Sequence, residues 1–244
     1  MALLFYLFES MYTPWINMYQ TEFLFAGTGK NYIEETDEVI DGSVLVALRT
    51  RPPFTHYRFI ELDEIYIGGL RKNVTKFGKN LDADIETIHG DCNWCVPNEI
   101  LAKISATPAF FFLDPFAVEG LHWETVESIG DKENCTVLIN FSIMGVTRFS
   151  QKKETRKQID KYYGTPKWRE IARNRTLGKL KVYQARKQFL NLYEKQLESK
   201  FGHVQTLFPV IHKGKYLYYL ILASHEEWAI EMSKDVEEVI KSGK

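Results

Sequence analysis

A carboxylate, a proline and an aromatic ring stand together at Asp114-Pro115-Phe116, directly after the apolar run Ala109-Phe110-Phe111-Phe112-Leu113. Proline withdraws a backbone donor and stiffens the turn. The Asp114 carboxylate and the neighbouring carbonyls are then free to accept hydrogen bonds. Such a turn suits an exocyclic amino group on a planar base: the acceptors take its donor protons while Phe116 stacks on the ring. An ordinary strand-to-helix turn can carry the same tripeptide, so its meaning depends on the residues that stand beside it.

Three further clusters follow strand-like segments. After the first comes Phe25-Ala26-Gly27-Thr28-Gly29, whose glycines allow a tight turn and close approach of backbone to a ligand. After the second stand Glu61 and Asp63, able to accept hydrogen bonds from ribose hydroxyls. After the third comes Gly90-Asp91-Cys92-Asn93, where the Asp91 carboxylate can take an adenine amino group beside Cys92. A dinucleotide fingerprint needs a third glycine, and Gly29 is followed by Lys30-Asn31-Tyr32. A Walker loop fails too: Leu24 occupies its first glycine position and Asn31 replaces the hydroxyl residue after Lys30. S-adenosylmethionine is the ligand that fits these four strand ends best.

The elements that must position these clusters alternate. Strands are expected at Glu22 to Phe25, His56 to Glu61, Asp84 to His89, Ala109 to Leu113 and Thr136 to Phe141. Helices are expected between them at Val39 to Leu48, Glu64 to Phe77, Asn98 to Ile104 and Leu121 to Ile129. This order implies a parallel sheet covered on both faces, with ligands beyond the carboxyl ends of its strands. Helical periodicity resumes with Val182, Ala185, Phe189, Leu192, Tyr193, Leu197 and Phe201 on one face. Val204 to Ile211 and Lys215 to Ala223 are close enough in sequence to force an antiparallel hairpin. A last helix from His225 to Ile240 turns Trp228, Met232, Val236 and Val239 inward. The expected fold is α/β, a seven-stranded Rossmann-like sheet of five parallel strands and a C-terminal antiparallel hairpin.

Apolar content of 45% and charged content of 26% are those of an ordinary globular protein. Charge is unevenly spread. Arg148 to Lys187 holds 14 Lys and Arg against 3 Asp and Glu, a net of +11, while the rest of the chain carries a net of −12. Within this stretch Arg148, Lys152, Lys153, Arg156, Lys157, Arg169 and Arg173 stand among Tyr162, Tyr163 and Trp168. Cations for phosphates beside rings for bases predict nucleic-acid binding, with Trp168 as a stacking ring. The domain division expected is a Rossmann-like domain over 21–141 and 182–244, a basic insertion over 142–181, and an N-terminal amphipathic helix over 1–20. That first segment is too short to span a bilayer, so no membrane partner is expected. Three cysteines, Cys92, Cys95 and Cys135, argue against a disulfide framework and for a reducing, cytoplasmic setting. Cys92 and Cys95 lack the second pair that a zinc site needs, and no metal is expected.

The chain resembles the class I S-adenosylmethionine-dependent methyltransferases and, more narrowly, the three-Cys-motif partner protein family. The resemblance is carried by Phe25 to Gly29, Gly42-Ser43, Glu61-Leu62-Asp63, Gly90 to Asn93 and Leu113 to Phe116. It continues through Trp123-Glu124-Thr125, Leu138 to Phe141, Met144-Gly145, Tyr163-Gly164-Thr165 and Tyr218-Tyr219-Leu220. It departs at Glu22, which stands farther from the glycines than the family's acidic residue, and at Ala117, where glycine often follows Asp-Pro-Phe. The resemblance implies a three-cysteine-motif protein as partner. Two functions are expected from these readings. One is methyl transfer to an exocyclic amine of an RNA or DNA base, with Asp114, Pro115 and Phe116 catalytic. The other is a non-catalytic module with a methyltransferase-like fold that assists the three-cysteine protein.

Overall fold

The computed structural model describes residues 20–33, 37–104 and 106–242, with side chains described as far as residue 234. The expected N-terminal helix therefore lies outside the described residues, as do the inward positions of Val236 and Val239.

Five short, apolar, β-rich segments pair in parallel: β1 (Gln20–Leu24), β4 (His56–Glu61), β5 (Asp84–His89), β6 (Ala109–Leu113) and β7 (Cys135–Phe141). The hairpin β8 (His203–His212) and β9 (Lys215–Ser224) joins the edge of β7 in the antiparallel sense, completing a seven-stranded sheet in the order β5-β4-β1-β6-β7-β9-β8. Strand β1 sits at the centre. The chain winds outward on one side through β4 and β5, then returns to β6 on the other, so the topological switch lies between β1 and β6.

Side chains alternate across this sheet with the period of a pleat. Phe23, Phe59, Phe110, Phe112 and Leu138 face one layer, formed by α1 (Ser43–Arg49), α2 (Glu64–Gly78) and α10 (Glu227–Ser242). Leu24, Ile60, Phe111, Leu113 and Ile139 face the other. That second layer contains α3 (Cys92–Cys95), a π-helical turn (Val96–Ile100), α4 (Leu101–Lys103), α5 (Trp123–Gly130) and the long α9 (Val182–Phe201). On α9, Ala185, Phe189, Tyr193, Leu197 and Phe201 are buried, whereas Val182 at its first turn is exposed.

Two local expectations are corrected. The helix expected from Val39 starts at Ser43, because Glu38–Asp41 is strand β3, paired with β2 (Lys30–Ile33) in a separate two-stranded ribbon. β-Branched Val39 and Ile40 suit a strand, and Gly42 ends it. The first strand stops at Leu24 because Phe25 adopts a left-handed backbone, φ 65°.

Residues 142–181 form three helices, α6 (Ile143–Phe149), α7 (Arg156–Tyr163) and α8 (Trp168–Thr176). Their apolar sides join the main core. Tyr162 and Tyr163 pack around Phe141 and Tyr193, with Tyr162 and Tyr193 stacked at 5.4 Å between ring centroids.

Candidate functional site

The carboxyl ends of β1, β4, β5 and β6 converge on one cleft, and each delivers its sequence-predicted cluster there. The loop after β1 divides the cleft into two cavities that share Phe25. Gly27 and Gly29 both take left-handed backbone, φ 60° and 78°, which a side chain would strain. Asn73 of α2 holds the loop from behind, its Nδ2 donating to the Thr28 carbonyl at 2.8 Å.

The first cavity, of about 600 Å³, is bounded by Phe25, Glu61, Asp91, Cys92, Phe116 and His122. Glu61, at the end of β4, is firmly fixed on its wall. The Gly27 N–H donates to Oε2 at 2.7 Å and the Asp63 N–H donates to Oε1 at 2.8 Å. Each oxygen keeps a second lone pair for a ligand hydroxyl. Asp63 and Asp91 also face this cavity, and both cap helices: Asp63 Oδ1 accepts from the Ile65 and Tyr66 amides, and Asp91 Oδ1 from the Asn93 amide. Cys92 is buried, and its apolar surroundings push the thiol far above the ordinary range, so it contributes shape and not a thiolate.

The second cavity, of about 380 Å³, lies across the glycine loop. Phe112, Asp114 and Asn140 reach it from the sheet, and Phe208, Tyr218 and Leu220 from the terminal hairpin. Pairing of Leu113 with Ile139 sets Asp114 beside Asn140, whose Nδ2 donates to Asp114 Oδ1 at 2.5 Å. Burial raises the Asp114 carboxyl above its usual range, opposed by that hydrogen bond. The site thus holds a desolvated carboxylate with a stronger affinity for protons than an exposed one has. Pro115 is buried behind it. Phe116 is 93% exposed and lies at the rim of the first cavity. Ala117 completes the turn at φ 65°, which explains why glycine would suit that position.

Several supporting residues stand in the sequence motifs but have no role assigned there. Asn93 ties two loops together: its Nδ2 donates to the Gly120 carbonyl, while Oδ1 accepts from the His122 amide and Thr125 Oγ1, all at 2.8 Å. Asn140 becomes visible once the ends of β6 and β7 are aligned. Tyr218 stands in the motif Tyr218-Tyr219-Leu220 that carries the resemblance, but its place in the second cavity depends on the hairpin register.

The basic stretch divides into two kinds of residue. Arg148, Lys152, Lys153, Arg156, Lys157, Arg169 and Arg173 are exposed. Trp168, expected to stack on bases, is 1% exposed, with its indole N–H donating to Asp160 Oδ1 at 3.0 Å. It is a core residue, because α7 and α8 need an apolar anchor against the sheet layer. Arg169 is paired with the same carboxylate, at Oδ2. Helix α7 packs against α5, and His122, which precedes α5, lines the first cavity; burial, with Lys161 second, lowers that imidazole's pKa.

Among the described residues no cluster of His, Cys, Asp and Glu could hold a metal, and no helix is long and apolar enough to cross a membrane. The sequence matches no protein-family model and no curated protein. Solved structures do match. The O-methyltransferase TomG from Streptomyces achromogenes, determined in complex with SAM, aligns over 91% of this chain and 78% of its own, at 12% identity and a TM-score of 0.51. Cofactor-bound Rv0187 from MTB aligns over the same shares, 91% and 78%, at 10% identity and a TM-score of 0.49. The seven-stranded sheet with its C-terminal antiparallel pair is thus the Rossmann-like fold found in an S-adenosylmethionine-dependent methyltransferase.

Proposed function

We propose that this protein is an S-adenosylmethionine-dependent methyltransferase acting on an exocyclic amine of a nucleic-acid base. The observation that carries the reading is the pair of cavities meeting across the glycine loop: a fixed carboxylate, Glu61, on one side and a desolvated carboxylate, Asp114, on the other. The first cavity has a volume typical of small-molecule sites. Its polar fittings suit the cofactor: Glu61 offers acceptors to ribose hydroxyls, and Asp91 has an oxygen left for an adenine amine. The cofactor supplies an electrophilic methyl group on a sulfonium.

The chain's own residues do the rest by positioning. Asp114 Oδ2 accepts a proton of the amine, which turns its lone pair across the loop towards the first cavity, while Pro115, buried and lining neither cavity, stiffens the turn that holds the carboxylate. Asp114, made more basic by burial, takes the proton that the nitrogen gives up. Phe116, expected to stack on the base, stands exposed at the rim of the first cavity and does not line the second, so the flat apolar contact with the base falls to Phe112 and Phe208. Exposed cations on α6, α7 and α8 hold the phosphates of the strand from which the base is drawn.

The test is transfer of a labelled methyl group to total tRNA, rRNA and DNA, with and without a three-cysteine-motif partner. Label should appear in one pool, and Asp114→Ala should abolish it while cofactor affinity stays within about twofold, since the carboxylate acts on the acceptor side. Wild-type turnover in the variant would refute the amine-positioning role. Cofactor binding without transfer to any pool would leave a non-catalytic module as the better description.

A further inference from the structure

The terminal hairpin does more than close the sheet. Register sets Phe141, the last residue of β7, opposite Tyr219, so the strand residues from Tyr218 to the hairpin tip rise beyond the sheet at its ligand-binding end. Tyr218 lies on the face shared by Phe112, Asp114, Asn140 and Leu220, and all five line the second cavity. Its ring is half-buried there. The Tyr218 hydroxyl has no hydrogen-bond partner among the described residues, and neither has Asp114 Oδ2, since Asn140 binds Oδ1. Both residues are only partly buried where they line the second cavity. Burial, and then the nearby Asp114 charge, raise the phenol's pKa, so at neutral pH the group is an uncharged O–H.

We infer that Tyr218 is a second substrate-orienting residue, and that the acceptor pocket reads a Watson–Crick edge on which the amine lies next to an unprotonated ring nitrogen. The inference rests on the proposed function and narrows its substrate. Asp114 Oδ2 can only accept and takes an amine proton. Tyr218 donates its hydroxyl hydrogen to the adjacent ring nitrogen. The Watson–Crick edges of adenine and cytosine carry that acceptor beside the amine. Guanine's amine is flanked on the Watson–Crick edge by N1–H, a donor that would face the phenol's hydrogen, while its unprotonated neighbour N3 lies on the sugar side beside the N9 substituent. Phe112, Phe208 and Leu220 supply the flat apolar walls that a base ring requires.

Calorimetry with 9-methyladenine, 1-methylcytosine, 9-methylguanine and unsubstituted purine tests the pattern on the full chain. The adenine or cytosine compound should bind, and the guanine compound and purine at least about tenfold more weakly. Tyr218→Phe removes one hydroxyl and should weaken the preferred compound by about fivefold to tenfold, with S-adenosylmethionine affinity unchanged. Equal affinity in Tyr218→Phe and wild type, a preference for the guanine compound, or binding of none of the four would each overturn the assignment. The wild-type preference decides the matter even if the variant fails to fold. Failure of the broader reading looks different: bases would bind in the predicted order while S-adenosylmethionine did not bind.

Discussion

Glu61 engages both carboxylate oxygens with backbone donors, Gly27 N–H and Asp63 N–H, and so couples the end of β4 to the glycine loop. A side chain held this rigidly loses little freedom when a ligand arrives, which is what a preorganised contact requires. Glu61→Ala should therefore weaken S-adenosylmethionine binding by about 1.5–3 kcal/mol, the range for hydrogen bonds to a charged group. Equal calorimetric affinities in the two proteins would remove Glu61 from the site. The turn at Asp114 carries a different signature. Ala117 has φ 65°, a left-handed conformation that costs a non-glycine residue about 1–2 kcal/mol. Glycine removes that strain but adds about 0.5–1 kcal/mol of unfolded-state entropy. Ala117→Gly should thus stabilise the protein by up to about 1 kcal/mol in urea unfolding, and a clear loss of stability would contradict the strained turn.

The succession of strands along the chain was legible because β4, β5, β6 and β7 each announce themselves as a short apolar or alternating run between turn residues. What remained illegible has a physical cause in each case. The ribbon β2–β3 is polar and largely exposed, so nothing in its periodicity marks it off from the helix that follows. Trp168 and the tyrosines beside it looked like ligands for bases because charge patterning cannot distinguish the buried face of a cationic helix from its exposed one. Glu22 is the sharpest case at this scale. It is fully buried in β1, 2.7 Å from Arg58 of β4, which also reaches Glu86 of β5. Burial outweighs the guanidinium and pushes the Glu22 carboxyl up to about 8. Since the folded state then holds a proton that the unfolded chain releases near its ordinary value of 4.5, stability should fall as pH rises from about 5 to 8 and level off above. Glu22→Gln mimics the protonated side chain and should remove that slope. Thermal melts across this range check it: parallel pH profiles for the two proteins would show that Glu22 is ionised throughout.

At the scale of the whole molecule, charge and topology point the same way. The segment with a net of +11 begins at the end of α6, the helix that leaves the carboxyl end of β7, and its helix α7 packs against α5 next to His122 of the first cavity. The remaining body carries a net of −12, which would repel a polyanion everywhere else and so favour one orientation of approach. If the exposed cations neutralise phosphates, binding of RNA or DNA must weaken steeply with salt, because each contact releases condensed counterions. Replacing Lys152, Lys153, Arg156 and Lys157 with Gln removes four such contacts. The slope of log affinity against log salt should then become shallower by about 3, at about 0.7–0.9 per phosphate. All four side chains are exposed, so the melting temperature should barely move. Because a non-catalytic module would show the same salt behaviour, this measurement addresses the partner and leaves the chemistry to the transfer assay. Binding that ignores salt, or no binding to either nucleic acid, would assign the basic face to a protein partner instead.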